Sequence, residues 1–233
     1  MKRLSIVIPA YNEERFIGTL LERIRTVNLE SFGLEKEIIV VDDCSKDRTA
    51  DEVRQFSDVI LCRHQKNGGK GRAVRTGIEE ATGDYVMIQD ADLEYDPQDY
   101  VPMVQALLSG RADVVYGSRY TRGLFGSKHP QQSWPAYLGG RSLSVAGWLS
   151  TGRYLTDTVT ALKLFPRVLL NDCDLQTTGF ELDHEITSKV LARGRRIAEV
   201  PIQYFPRSRE EGKKIGAKDW LRGLRTFWRY RRG

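Results

Sequence analysis

A short apolar run, Tyr85–Ile88, is followed after Gln89 by two aspartates one residue apart, Asp90 and Asp92. An uninterrupted apolar run of this length predicts a strand buried on both faces, as in the parallel sheet of an α/β protein. Ligands of such sheets bind at the carboxyl ends of the strands. Two carboxylates placed there can hold a hard divalent cation such as Mg²⁺ or Mn²⁺, which would stabilise a diphosphate leaving group. The alternative is a turn, since aspartate is common after strands.

Predicted strands and helices alternate through the first half of the chain. Apolar runs predict strands at 4–9, 37–41, 59–62, 85–89 and 113–116, with helices at 13–26, 47–56, 71–81 and 97–108. This alternation predicts an α/β domain with a doubly wound, mostly parallel sheet and helices on both faces. The second half is less regular, with a loop at 117–135, a helix at 136–150, a strand at 161–165, a helix at 182–192, an extended segment at 197–205 and a loop at 207–216.

The net charge of +5 comes from the C-terminal end, where residues 193–232 contain thirteen Lys or Arg and four Asp or Glu. A basic tail of this kind suits nucleic acid, anionic lipid or a phosphorylated ligand. No nucleic-acid-binding motif accompanies it, so we do not expect a nucleic-acid partner. The three cysteines lie far apart in the sequence and no histidine stands at zinc-ligand spacing, which predicts reduced thiols in a cytoplasmic protein.

Polar clusters also follow the first three predicted strands. Their sequences are Pro-Ala-Tyr-Asn-Glu at 9–13, Asp-Asp-Cys-Ser at 42–45 and Arg-His-Gln-Lys-Asn at 63–67. Because the carboxyl ends of parallel strands share one edge of the sheet, we expect these clusters to converge with the aspartate pair where a nucleotide would bind. The structural alternative is that Asn12, Ser45 and Asp47 cap helices.

The glycine-rich segment 67–71 offers a further contact for an anion. Its glycines allow close approach of the backbone, and the helix that follows presents its positive end to a negative group. The segment lacks the spacing of a GxxxxGK(S/T) phosphate-binding loop, and no GxGxxG sequence follows the first strand. Neither P-loop hydrolysis nor a Rossmann dinucleotide site is therefore predicted.

Taken in order, these motifs resemble glycosyltransferase family 2, and most of all its dolichyl- and polyprenyl-phosphate sugar transferases, the group of the dolichyl-phosphate mannosyltransferases. The likeness rests on PAYNEE at 9–14, VDDCSKDRT at 41–49, NGGKG at 67–71 and QDADLEYDP at 89–97, and it continues at 117–119, 155–158, 199–202 and 207–215. Two positions depart from the family pattern, since Cys44 and Arg48 stand where glycine is frequent.

The resemblance implies a GT-A fold and a metal-dependent, inverting transfer of a hexose, mannose or glucose. The donor would be a nucleotide-diphosphate sugar such as GDP-mannose or UDP-glucose, and the acceptor a polyprenyl or dolichyl phosphate at the cytoplasmic membrane face. Asp90, Asp92 and Glu94 would hold Mg²⁺ or Mn²⁺, and Asp92 and Arg207 would be the catalytic residues. The nucleotide sugar would be bound by Pro9, Ala10, Tyr11, Asn12, Glu13, Asp42, Lys70, Asp90, Ala91, Asp92, Arg207 and Lys213, with Lys214 as an alternative to Lys213.

By the same resemblance, residues of the second half would bind the acceptor phosphate: Arg119, Arg141 and Ser144. Guanidinium groups, to which Arg122 adds a third, suit a phosphate because each can bind two of its oxygens at once. An ionised phosphate also needs little help from a general base.

Three other functions stay open. If the acceptor is a soluble or glycan hydroxyl, Asp157 is the candidate base, because we expect the histidines to be structural or solvent-exposed: His64, His129 and His184. A sugar nucleotidyltransferase is less favoured because no glycine-rich, arginine-containing signature follows the first strand. A nucleic-acid-binding protein would leave the aspartate pair unexplained.

The basic tail ends in a predicted amphipathic helix at 217–231, which divides the chain into a catalytic domain at 1–216 and a basic helix at 217–233. One stripe of the helix carries Trp220, Leu221, Leu224, Phe227, Trp228 and Arg231, flanked by Arg222, Arg225, Arg229 and Arg232. A basic helix with aromatic residues on its apolar face can lie in a membrane interface. The alternative is a helix that packs on the core with a solvated basic face. We expect a peripheral protein at the cytoplasmic face of a membrane.

Overall fold

A computed structural model of the protein describes residues 1–120, 132–207 and 217–232. Its strands are Lys2–Ala10 (β1), Leu34–Asp42 (β2), Val59–Arg63 (β3), Tyr85–Ile88 (β4), Val114–Ser118 (β5), Lys163–Pro166 (β6) and Ile197–Pro201 (β7). They form a seven-stranded sheet in the order β3-β2-β1-β4-β6-β5-β7. Neighbouring strands run parallel except at β6, which is antiparallel to both β4 and β5. The predicted, mostly parallel sheet is confirmed.

Helices cover both faces of this sheet. They are Ile17–Thr26 (α1), Thr49–Arg54 (α2), Lys70–Glu80 (α3), Tyr100–Leu108 (α4), Trp134–Thr151 (α5), Arg167–Asn171 (α6), Leu182–Ala192 (α7) and Ala217–Arg229 (α8), with short 3₁₀ turns at Glu30–Phe32 and Pro97–Asp99. Side chains alternate along β1, so Ile6 and Ile8 join the core that α1 and α4 share, whereas Val7 joins the core of α3 and α7. This alternation explains why the sheet is covered on both sides.

The direction of β6 could not be predicted. An apolar run is the same for either strand direction, so residues 161–165 predict a strand but not its orientation. β6 lies between β4 and β5 and pairs Lys163 with Ile88 and Pro166 with Tyr85. The start of β6 therefore lies beside the carboxyl end of β4. This register brings a lysine from the second half of the chain to the sheet edge that carries Asp90.

Most predicted elements recur with shifted ends. The helix predicted at 136–150 begins earlier, at Trp134, because the Ser133 side chain accepts a hydrogen bond from the Ala136 N–H at 3.4 Å and Pro135 lies in the first turn. The five residues of α6 were not predicted, since so short a helix shows no periodicity. Some predicted residues lie outside the described ranges: Arg122, His129, Lys213 and Lys214.

The last helix, α8, packs against α5 and α7. Phe227 is 1% exposed, and its ring centroid lies 4.7 Å from that of His184 on α7. Leu221 and Trp228, by contrast, are 55% and 66% exposed. Part of the predicted apolar stripe thus packs in the core, and part is exposed to solvent. The domain boundary at residue 216 stays a prediction. Within the residues that the structure describes, no helix is both long and apolar enough to cross a bilayer.

Candidate active site

A cavity of about 1260 Å³ opens at the carboxyl ends of β1 and β4. It brings together most of the residues predicted to bind the donor and the metal: Pro9, Ala10, Tyr11, Glu13, Lys70, Asp90, Ala91, Asp92, Glu94 and Arg207. Arg119, from the loop after β5, lines the same cavity. The other described candidates are not among the lining residues: Asn12, Asp42, Arg141 and Ser144. The polar clusters at the strand ends converge as the parallel sheet predicts.

The Arg207 guanidinium lies at the acidic end of the cavity. Its Nη2 is 2.7 Å from Asp92 Oδ2, and its Nη1 is 3.1 Å from Glu13 Oε2. The backbone N–H of Arg207 donates to Glu94 Oε1 at 2.9 Å. The segment after β7 is thereby fastened to the loops that follow β1 and β4.

Negative charge accumulates around Asp92. Burial, together with the charges of Asp90 and Glu94, raises the pKa of Asp92 to about 7, although Arg207 acts in the opposite direction. Several carboxylates this close together suit a hard divalent cation, which would take its remaining ligands from a diphosphate. Among the described residues, no group of three Asp, Glu, His or Cys side chains is arranged to hold an ion. Metal binding by Asp90, Asp92 and Glu94 therefore stays a prediction.

Lys70 connects this aspartate pair to Asp183, which was not predicted. Lys70 Nζ lies 2.7 Å from Asp90 Oδ1 and 3.7 Å from Asp183 Oδ2. Asp183 also forms an ion pair with Lys163, whose side chain is completely buried. Burial opposes the charge of Lys70, but the two carboxylates outweigh it and raise the pKa of Lys70. Lys163, inside the apolar run 161–165, was the sequence signal that could have revealed this series of ion pairs, because a buried charge requires a partner.

The glycine-rich segment is organised by Asp43. The Asp43 carboxylate accepts hydrogen bonds from the N–H groups of Gly68 and Gly69, at 2.9 and 2.7 Å, and lies 2.7 Å from His64 Nδ1. Gly69 has φ of 90°, and a Cβ there would lie 2.5 Å from the carbonyl oxygen of Thr178. This glycine therefore serves a close backbone contact, and His64 has the structural role that was expected of it.

The loops after β1 and β2 are fastened to each other. The Asn12 N–H donates to Ser45 Oγ at 2.9 Å, and Asn12 Oδ1 accepts from the Lys46 N–H at 2.8 Å. Asp42 is fully buried, accepts from the Ser45 N–H at 2.9 Å and lies 3.0 Å from Arg63 Nε. Asn12 and Asp42 thus hold the loops after β1 and β2 without lining the cavity themselves. Their contact with a nucleoside stays a prediction.

Arg119, which was predicted to bind the acceptor phosphate, forms a bidentate ion pair with Asp157, at 2.6 Å from Nε to Oδ2 and 2.8 Å from Nη2 to Oδ1. Asp157 is 1% exposed, and its N–H, like that of Thr156, donates to the half-buried Glu199 carboxylate. A carboxylate held this way is poorly placed to take a proton from an acceptor hydroxyl. The observed contacts of Asp157 fix the position of the Arg119 side chain, which lines the cavity.

Arg141 and Ser144 hold the same loop from α5. Arg141 Nη1 donates to the carbonyl oxygen of Thr156 at 2.7 Å, and Ser144 Oγ donates to that oxygen at 3.3 Å. Ser144 is 1% exposed. Their predicted contact with the acceptor phosphate stays a prediction, and their observed contacts are with the loop that positions Arg119.

Apolar side chains also line the cavity. They come from α5, α8 and the loops before β6 and α7: Leu138, Leu143, Val159, Phe180 and Trp220. The Trp220 indole N–H donates to Ser142 Oγ at 2.9 Å, which joins α8 to α5. This cavity can therefore accept a ligand that has both an anionic and an apolar part.

His184, which also lines the cavity, should make the stability of the protein sensitive to acid. Burial lowers the pKa of His184 to about 4, against 6.5 for the free side chain. Between these values the unfolded chain binds a proton that the folded protein excludes, so stability should fall by about 3 kcal/mol as the pH drops from 6.5 to 4. Urea unfolding of the wild type and of His184→Asn at several pH values measures this. Parallel curves for the two proteins would contradict it.

Comparison with known proteins supplies the family. The sequence profile described as Glycosyl transferase family 2 matches residues 5–173. A dolichol-phosphate mannosyltransferase of Pyrococcus furiosus is 32% identical over an alignment of 237 positions, which covers 97% of this chain but 63% of that enzyme's length. A UDP-N-acetylglucosamine–dolichyl-phosphate N-acetylglucosaminyltransferase of Methanococcus voltae is 26% identical over 98% of this chain and 94% of its own.

A solved structure gives the same result for the fold. Glucosyl-3-phosphoglycerate synthase from Mycobacterium tuberculosis, in complex with Mn²⁺, UDP-glucose and phosphoglyceric acid, aligns with a TM-score of 0.73 at 22% identity. The alignment covers 99% of this chain and 80% of that chain. The predicted GT-A type of α/β fold is confirmed by this likeness. With the profile match over residues 5–173, we conclude that the chain belongs to glycosyltransferase family 2.

Proposed function

We propose that this glycosyltransferase moves a hexose from a nucleotide-diphosphate sugar to a polyprenyl or dolichyl phosphate, with inversion at the sugar carbon. The observation that carries the proposal is that charged and apolar side chains line one cavity. Charged side chains, among them Asp90, Asp92 and Lys70, line the same cavity as apolar side chains of α5 and α8, among them Leu138 and Trp220. A nucleotide sugar needs the charged groups, and a lipid-linked phosphate needs both kinds.

On the donor side, Asp90 and Asp92 would hold Mg²⁺ or Mn²⁺ against the diphosphate. When bound, the ion would stabilise the negative charge of the departing nucleoside diphosphate. Lys70, at the start of α3, adds a positive charge at a helix N-terminus, where a phosphate is also stabilised by backbone N–H groups. The solved relative was crystallised with Mn²⁺ and UDP-glucose, and the mannosyltransferase relative suggests mannose. Both GDP-mannose and UDP-glucose are therefore the donors to test first.

On the acceptor side, a phosphate fits the available groups better than a hydroxyl does. A hydroxyl needs a base, and Asp157 is buried in its ion pair with Arg119. Asp183 also lines the cavity. Burial would raise its pKa, but the charges of Lys163 and Lys70 outweigh burial, so the pKa of Asp183 is lowered. A carboxylate with a lowered pKa is a weak base, whereas an ionised phosphate can attack without one.

The test is a donor-by-acceptor assay with the purified protein. GDP-mannose and UDP-glucose, each labelled in the sugar, are offered with a short-chain polyprenyl phosphate or with the corresponding polyprenol, with and without Mn²⁺. The label on the acceptor and the release of nucleoside diphosphate are both measured. We expect label on the polyprenyl phosphate, no label on the alcohol, and loss of transfer in excess EDTA. Preferential labelling of the alcohol or of a free sugar would make the hydroxyl acceptor correct, with Asp183 as the base to examine.

The same proposal places the protein at the cytoplasmic face of a membrane. Exposed apolar side chains follow one stripe of α5 and continue onto α8: Trp134, Leu138, Val145, Trp148, Leu149, Leu221 and Trp228. The exposed face of α8 also carries Arg222, Arg225 and Arg229. Apolar residues with flanking arginines suit the interface of an anionic bilayer. Here α5 supplies most of the apolar area, which the sequence pattern of α8 alone did not indicate.

Replacing Arg222, Arg225 and Arg229 together by Gln should weaken binding to phosphatidylserine vesicles on the order of a hundredfold, since each basic residue near such a surface contributes about 1 kcal/mol. Cosedimentation at low salt measures this. Leu149→Ser should also weaken binding, whereas Val168→Ser, at a residue 68% exposed on α6, is the matched control. Truncating α8 is unsuitable because Phe227 belongs to the core. Equal binding by all variants would contradict a membrane-facing role for α5 and α8.

A further inference from the structure

A buried carboxylate on α7 organises the segment between α6 and α7, residues 174–180. Glu185 has no exposed surface. Its Oε1 accepts the Gln176 N–H at 2.9 Å, and its Oε2 accepts the Thr177 N–H at 2.8 Å and the Thr177 hydroxyl at 2.6 Å. The two backbone groups can only donate, so this position requires an acceptor on each oxygen, which a carboxylate supplies and an amide does not.

Lys189, one turn further along α7, completes this cluster. Its Nζ lies 2.7 Å from Glu185 Oε1 and donates to the carbonyl oxygen of Asp174 at 2.6 Å. Tyr230, directly after α8, packs on Lys189 with its ring centre 4.5 Å from the ammonium nitrogen. Burial would raise the pKa of Glu185, but the hydrogen bonds that Glu185 accepts outweigh burial and lower the pKa. Glu185 is therefore ionised near neutral pH.

The other side of residues 174–180 packs against the start of α3. The carbonyl oxygen of Thr178 accepts the Arg72 N–H at 3.1 Å. This N–H is one of those in the first turn of a helix that have no acceptor within the helix. A Cβ at Gly71 would lie 2.8 Å from the carbonyl oxygen of Gly179. The glycine in the first turn of α3 therefore serves direct backbone contact with this segment.

Lys70 begins α3 and lies beside this contact. Its Nζ lies 5.7 Å from the centre of the Phe180 ring, and it forms ion pairs with Asp90 and Asp183. Both Lys70 and Phe180 line the cavity. The position of the Lys70 ammonium in the cavity thus depends on where residues 174–180 hold the first turn of α3.

We propose that Glu185 is a positioning residue for Lys70. It holds residues 174–180 against the first turn of α3 and thereby fixes the Lys70 ammonium among the charged groups of the cavity. Glu185 is not among the described residues that line the cavity, so it acts through the segment rather than by contact with a ligand. An effect on nucleotide binding rests on the proposed function, in which Lys70 binds the donor diphosphate, whereas the positioning itself needs no ligand.

Amide hydrogen exchange without nucleotide tests the positioning. In Glu185→Gln the side-chain NH2 group faces a backbone N–H, so the cluster loses at least one contact with residues 174–180. We expect the Arg72 amide to exchange at least about tenfold faster than in the wild type, because its bond to the carbonyl oxygen of Thr178 weakens. Unchanged exchange at Arg72 would overturn the positioning.

Glu37→Gln is the matched control. The Glu37 carboxylate accepts the Thr82 N–H at 2.9 Å and the Thr82 hydroxyl at 2.6 Å, which is the same chemistry near the amino end of β4. This variant should leave exchange at Arg72 unchanged, and an equal acceleration there would show general destabilisation and overturn the positioning. Thr177→Val removes only a hydroxyl contact with Glu185 and should accelerate exchange at Arg72 several-fold. It replaces Glu185→Gln if thermal unfolding shows that the latter does not fold.

Calorimetric titration with UDP and with GDP, in a buffer that contains Mg²⁺, tests the link to the donor. Glu185→Gln should weaken nucleotide binding about tenfold relative to the wild type, the effect of misplacing one charged contact. Lys70→Met should lose at least as much affinity, and adding Glu185→Gln to it should cause no further loss, because the positioned group is gone. A structural role alone predicts the same loss in both backgrounds, and that result would overturn Lys70 as the group that Glu185 positions.

These measurements separate the inference from the proposed function. If the wild type binds neither UDP nor GDP, the proposed donor is wrong, and exchange at Arg72 alone decides whether Glu185 positions α3. If exchange accelerates in Glu185→Gln but neither that variant nor Lys70→Met loses nucleotide affinity, Glu185 positions α3 while the proposed donor role of Lys70 is wrong.

Discussion

Replacing Asp92 by asparagine is expected to reduce sugar transfer by at least about a hundredfold, the cost of removing an electrostatic group that acts on the leaving group. The melting temperature should not fall. Partial burial and the charges of Asp90 and Glu94 raise the pKa of Asp92, although the ion pair with Arg207 opposes them, so its negative charge is on balance unfavourable to the folded state. Asparagine keeps the shape and removes that repulsion. The expected result is a stable, inactive protein, which is typical of a residue retained for function.

The measurement is nucleoside diphosphate release, together with thermal unfolding of the same preparations. Asp96→Asn is the control, because Asp96 lies in the same loop and caps a 3₁₀ turn through the Gln98 N–H at 3.0 Å, outside the cavity. It should keep most of the activity. Transfer by Asp92→Asn close to the wild-type rate, or a large drop in its melting temperature, would contradict the role given to Asp92.

The order of strands and helices and the placement of the aspartate pair could be predicted because each depends on a local pattern. An apolar run such as Tyr85–Ile88 marks a buried strand wherever it lies, and the carboxyl ends of parallel strands converge by geometry. The expected structural role of His64 also holds, since its ring lies between Asp43 and Thr76.

Other features depend on contacts between distant parts of the chain and could not be read from local patterns. The direction of β6 decides that Lys163 meets Asp183, and nothing in residues 161–165 encodes that direction. Phe227 faces inward and Trp228 outward because α8 packs on α5 and α7, and the helical period alone does not say which side will be covered. The hydrogen bond between Asn12 and Ser45 falls between these cases. The clusters of both residues were expected to meet at the sheet edge, with helix capping as the alternative, and the two residues join the loops after β1 and β2.

The second large effect is expected at Lys163, which lies in the middle of the sheet with no exposed surface. Its ammonium group contacts the Asp183 carboxylate and the carbonyl oxygen of Thr160. Burial lowers the pKa of Lys163, and the nearby Asp183 charge only partly offsets this. Lys163→Met keeps the length of the side chain and removes its charge. It leaves Asp183 with Lys70 as its remaining cationic partner, at 3.7 Å.

We expect Lys163→Met to lower the free energy of unfolding by about 3–5 kcal/mol, the usual cost of removing one partner from a buried ion pair. Adding Asp183→Asn should restore part of that loss, because the double variant no longer buries a carboxylate that has lost its closer cationic partner. Lys36→Met is the matched control: Lys36 binds the carbonyl oxygens of Ile24, Arg25 and Val27 rather than a carboxylate. Its loss should not be relieved by Asp183→Asn. Urea unfolding of the wild type, the three single variants and the two double variants decides between coupling and simple addition. Additive losses at Lys163 and Asp183 would show that the two charges do not stabilise each other.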